Sequence, residues 1–141
     1  MIHPRIFVSA AAGLCALGLA GAAAAHHSAA MFDRSKEVAI TGTVKEFQYT
    51  NPHSWLMIAA PGPGGQEVQW GFESEGPSTL LRNGIKRSTF QPGDKVTAKG
   101  NPMRDGRPAG SLISVTKADG QTVWFRGGPQ PEQPAAAAPA P

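Results

Sequence analysis

A change of phase in the hydrophobic pattern between Val38 and Tyr49 constrains this chain more than any other feature. Apolar residues stand at even positions at Val38, Ile40 and Val44, with Gly42 between them, and then at odd positions at Phe47 and Tyr49. Side chains alternate along a strand with a period of two, so the phase changes only where one residue is inserted into the ladder. The pattern predicts one long strand with a bulge near Lys45-Glu46 and a bend near Gly42. A long, bent first strand suits a small closed barrel, in which one strand serves both halves.

The strand ends at Asn51-Pro52-His53-Ser54-Trp55. Pro52 has no N–H to give to a ladder and biases Asn51 away from helix, so Asn-Pro reads as a strand end and a corner. His53 is then expected at a sheet rim beside Trp55, and barrel rims are places where ligands bind. The bland alternative is a corner imidazole that hydrogen-bonds a backbone carbonyl. Of the chain's 4 histidines only His53 lies beyond the leader and the N-terminal arm, inside the expected barrel.

Trp55 to Ala60 is apolar at every position and predicts a strand buried on both faces or packed under an N-terminal arm. Pro61-Gly62-Pro63-Gly64-Gly65 is a turn. A cleanly alternating third strand follows, with Val68, Trp70 and Phe72 on one face and Glu67, Gln69 and Glu73 on the other. A short helix comes next, with Pro77 at its first position, Ser78 as a cap, Leu80 and Leu81 on its buried side and Gly84 as its stop. Pro92-Gly93-Asp94 turns into a fourth strand with Val96 and Ala98 inward. Asp105-Gly106 is a hairpin-type turn. A fifth strand carries Leu112, Ile113 and Val115, and Val123-Trp124-Phe125 is a short last one. Three strands, a helix and two strands is the order of the five-stranded OB-type barrel, with its helix between strands 3 and 4. A β-sandwich is the alternative.

The two ends differ from this middle. Residues 1–25 carry Arg5 near the start, an apolar Ala/Gly/Leu-rich stretch from Ile6, and Ala23-Ala24-Ala25 as a cleavage site, the composition of a secretory signal peptide. The expected address is the periplasm or the exterior, with no stable membrane anchor after processing. Cys15 is the only cysteine and lies in the leader, so no disulfide can brace the mature protein. Loss of Arg5 lowers the 13 basic residues to 12 against 10 acidic, a formal charge of +2, too mild for nucleic-acid binding. Residues 26–126 are expected to form one domain, with an extended arm over 26–36 that Met31 and Phe32 pin to the body. Residues 127–141 are a Pro/Ala-rich tail unable to bury a core.

The candidate metal ligands are His26, His27, His53, Met31, Met57 and Met103. Without cysteine or a His-x₃-His pattern, structural zinc is not indicated. Cleavage after Ala25 makes His26 the N-terminal residue, whose amine and imidazole chelate copper with a third nitrogen from His27 or His53. Cleavage after Ala24 leaves Ala25-His26-His27, and a histidine in third place also binds Cu(II) in a square plane. Such nitrogen-rich tetragonal sites suit Cu(II). If the arm doubles back along the first strand, its histidines meet His53 at one rim.

Catalytic readings have less support. Ser28, Ser54 and Ser74 lie in no nucleophile-elbow context. Glu73 and Glu75 flank Ser74 as a carboxylate pair, but the alternation assigns Glu73 to a solvated strand face. Trp55 and Trp70 are candidates for stacking a ligand, although large aromatics are more often core. Arg82 and Arg87, with Lys86, either hold an anion or form a solvated basic face. The sequence therefore predicts an exported binding module with Cu(II) on His26, His27 and His53. The alternative is an OB-like module for a protein partner or small ligand, with no metal.

Several motifs together resemble a family of small exported bacterial proteins, domain of unknown function 6152. They are Ala25-His26-His27-Ser28 followed by Phe32-Asp33; Gly42-Thr43-Val44 and Asn51-Pro52-His53; Trp70 to Glu73 leading to Pro77 to Gly84; and Pro92 to Thr97 with the Arg104 to Gly106 turn. The likeness spans about residues 25–123. The helix is usually preceded by Ser-Pro and its glycine followed by Trp, where this chain has Gly76-Pro77 and Ile85. The resemblance implies export and a small β-barrel, and it implies no activity.

Overall fold

The computed structural model describes residues 30–128. Its organising element is β1, Val38–Gln48. Residues 38–43 pair with β4 (Lys95–Pro102) and residues 43–48 pair with β2 (Ser54–Pro61), so one strand belongs to both halves of the barrel. The register slips between Val44 and Glu46, which leaves Lys45 as the extra residue. The slip puts Val44 and Phe47, one even and one odd, into the same core. The bulge is what reconciles the two phases of the pattern.

Hairpin pairing joins β2 to β3, Glu67–Ser74, through the turn that holds a short 3₁₀ segment at Pro63–Gly65. β4 pairs with β5, Ala109–Lys117, and β5 with the short β6, Thr122–Trp124. A parallel seam between β3 and β5, Gly71↔Ala109, Phe72↔Gly110 and Glu73↔Ser111, closes the sheet. The result is an OB-like five-stranded barrel with β6 appended to its edge.

Helix α1, Pro77–Arg82, lies between β3 and β4. Its N-cap is Gly76, not Ser78, which falls inside the helix. Pro77 takes the first helical position, so the cap is the residue before it; that residue is glycine where a Cβ would lie 2.5 Å from the Pro52 carbonyl oxygen. The helix is seated by Tyr49 at the end of β1, whose hydroxyl donates to the carbonyls of Pro77 at 3.0 Å and Ile85 at 2.9 Å. Leu80 and Ile85 are buried beneath it, and Leu81 is exposed.

The core joins Phe47, Phe72, Phe90 and Phe125 with Leu56, Ile58, Leu80, Leu112 and Val115. Phe47 meets Phe90 edge-on at 5.5 Å, a favoured aromatic geometry. Trp70 stacks on Phe72 at 5.8 Å and packs against the core.

The arm docks elsewhere than along β1. Phe32 bridges Met103, Asp33 N–H donates to the Pro102 carbonyl at 2.8 Å, and Arg104 N–H donates to the Met31 carbonyl at 2.9 Å. The arm thus continues the pairing of β1 along the far end of β4. Phe32 is 2% exposed and is the residue that pins it, while Met31 is 41% exposed.

Candidate functional site

The Asn51–Pro52 peptide is cis, and the chain leaves this corner at His53 immediately before β2. Register pairs Trp55 with Glu73 and Ser54 with Ser74, so Glu73 is a diagonal neighbour of His53 across the strands. His53 Nδ1 and Glu73 Oε1 are joined by a short hydrogen bond. The imidazole is 32% exposed and the carboxylate only 8%. Glu73 therefore does not lie on a solvated face. Alternation does point it away from the Phe72 side of β3, but the arm and the segment after β6 cover that side.

The covered space is a cavity of about 250 Å³. The β3 end contributes Glu73, Ser74 and Glu75; β5 contributes Ser111 and Leu112. Phe32 and Arg34 reach it from the arm, and Phe125 and Arg126 from the C-terminal segment. His53 stands on the same wall.

Arg126 is built into that wall. Its Nε donates to the Leu112 carbonyl at 3.0 Å, and its Nη2 to the Ser111 carbonyl at 3.1 Å and to Asn101 Oδ1 at 2.5 Å. Burial, and after it the positive charge of Arg34, lower the pKa of this guanidinium below its ordinary value; Glu75 and Glu37 act the other way. Buried Asn101 also donates through Nδ2 to the Lys36 carbonyl at 2.7 Å. One side chain thus holds both the arm and the C-terminal segment.

Of the residues singled out in the sequence, His53 lies at the cavity. His26 and His27 lie outside the described residues. Trp55 is half-buried on the face opposite Phe72, where it and Met57 cover Gly71. Met103 is buried under the arm. Arg82 and Arg87 are exposed and do not line the cavity; Arg87 stacks over Tyr49 at 5.5 Å and donates to its carbonyl at 2.9 Å. Among the described residues no three His, Cys, Asp or Glu side chains group as a metal set. Sequence reasoning missed Arg34, Arg126 and the His53–Glu73 pairing. The pairing had a signal: a turn at residues 61–65 sets the hairpin register and brings 53 close to 73. The arginines had none, because each reaches the cavity from a segment without periodic pattern.

Fold and site together define a small OB-like barrel with a half-enclosed polar cavity outside its β3–β5 seam. The chain belongs to a family of unknown function (DUF6152), whose profile matches residues 14–124. No curated protein and no solved structure matches the chain.

Proposed function

We propose that this protein is an exported, non-enzymatic module that binds Cu(II) through His53 and the N-terminal His26 and His27. The carrying observation is the His53–Glu73 pair beside a cavity that the arm itself lines. A carboxylate on Nδ1 keeps the neutral ring protonated there and leaves the Nε2 lone pair for a ligand. Metal-ligating histidines are oriented in this way by carboxylates in their surroundings. The remaining donors must come from beyond the described residues. His27 precedes Phe32 by five residues, a reach of up to ~17 Å at ~3.3 Å per residue. Phe32 already lines the cavity. A processed N-terminus at His26, or at Ala25 with His27 third, adds an amine to the imidazoles and makes the nitrogen-rich set that Cu(II) prefers.

The test uses secreted protein whose N-terminal residue has been identified by intact mass. Titration with Cu(II), followed by electron paramagnetic resonance, is expected to give one tight site. If His26 is the N-terminal residue, His26→Ala should abolish it; if Ala25 is, His27→Ala should; in either case His53→Ala should weaken it. Glu73→Gln should weaken it by about 10–100-fold, the usual cost of losing such an orienting partner. Copper affinity and spectrum unchanged in His53→Ala would sink the proposal.

A further inference from the structure

We infer that the cavity also binds a small carboxylate, held by the guanidinium groups of Arg34 and Arg126 with its carbon body against Phe32, Leu112 and Phe125. The inference goes beyond the copper reading and does not rest on it.

Two cations from different segments converge on one small space. Like charges brought together oppose folding unless something offsets them. Among the described residues no carboxylate forms an ion pair with either arginine, and Glu75 and Glu37 act on Arg126 only through space. Glu73 is taken by His53. Arg34 is exposed and has neither a hydrogen bond nor an ion pair there. Arg126 spends Nε and Nη2 on the wall, which fixes its plane, while Nη1 has no acceptor among the described residues. Burial first, and then the charge of Arg34, lower the pKa of Arg126, while Glu75 and Glu37 oppose that shift.

The chemistry of the lining narrows the ligand. A planar guanidinium fork matches a carboxylate in geometry and charge. Phe32, Leu112 and Phe125 line the same space and give it an apolar edge. At about 250 Å³ the space falls below the ~300–1,000 Å³ of drug-sized sites, so the ligand is small. Benzoate and short-chain fatty acids have these properties. Sulfate and phosphate share the charge but have no body for the apolar edge.

The test is titration of metal-free processed protein, stripped with a chelator that is then removed by dialysis, with benzoate, butyrate, benzyl alcohol and sulfate, followed by amide chemical shifts. Saturable shifts with the carboxylates are expected, centred on Arg34, Ser74, Ser111 and Arg126. Benzyl alcohol should produce none. Arg34→Gln, at an exposed site that the fold does not use, should weaken binding by about tenfold or more, the scale of one charge-assisted contact. Arg126→Lys keeps the charge and loses the fork, and should weaken it similarly in a protein shown to be folded by its spectrum. No saturable carboxylate binding, equal binding by Arg34→Gln, or preference for sulfate would overturn the inference. The readouts contain no copper, so failure here leaves the copper titration standing, and the reverse.

Discussion

Gly42 sits where two backbones nearly touch: a Cβ there would lie 2.2 Å from the Ala59 carbonyl oxygen. At this residue β1 is about to exchange β4 for β2 as its partner, and the strands cross too closely for a side chain. Gly42→Ala is expected to destabilise the barrel by about 1–3 kcal/mol, the usual cost of overpacking, in urea unfolding at an unchanged m-value. Phe72 makes a complementary case, since its ring lies against Gly100 and Gly110 at the closing seam. Phe72→Ala should cost about 3–5 kcal/mol. At this scale the sequence was most informative where periodicity spoke. The Val44–Phe47 phase change foretold the bulge at Lys45. It was least informative where burial overrode periodicity. Glu73 obeys the alternation that placed it opposite Phe72, yet that face is roofed by segments distant in sequence, so a residue expected in solvent became the buried partner of His53.

Among the elements, the arm departs furthest from its expected place. Its apolar residues have no period, so nothing in its own sequence could choose between β1 and β4 as a dock. The choice is made by one side chain filling a site, Phe32, and by backbone bonds to Pro102 and Arg104. Phe32→Ala should release the arm before the barrel melts, seen as fast hydrogen exchange at Asp33 and Arg104 with the β1–β2 amides still protected. A pH effect belongs to the same element. Asp33 accepts hydrogen bonds from the Ser35 hydroxyl at 2.6 Å and the Ser35 N–H at 3.2 Å, which hold its carboxyl below the ordinary 3.8. A carboxyl held low in the folded state stabilises it fully above its unfolded pKa and loses that contribution as pH falls through the lowered one. Arm protection should therefore be constant from neutral pH to about 4 and decline below it. Asp33→Asn should flatten that decline.

For the whole molecule, the order of strands and the position of α1 were legible because glycine or proline marks the turns and each strand is a short apolar or alternating run between them. Closure was not. The seam between β3 and β5 consists of three parallel pairs whose members lie far apart in sequence, and no local pattern encodes them. Gly110→Val, which places a Cβ 2.8 Å from the Asn101 carbonyl oxygen and 3.1 Å from the Phe72 ring, should spread that seam. Faster exchange at Gly71, whose N–H reaches the Pro108 carbonyl at 3.1 Å, would report it while the β1–β2 ladder stays slow. The candidate site was half legible for the same reason: its imidazole stands in a motif, whereas the groups that surround it are assembled only when distant segments fold back over the wall.

Asn101 grips Lys36 from one segment and Arg126 from the other, so the polypeptide enters and leaves the barrel at nearly the same place. Such a chain can be rewired. A short glycine linker joining those two stretches, with new ends opened at Asp119-Gly120, should yield a circular permutant that still closes, because the order of strands around the cylinder would be untouched.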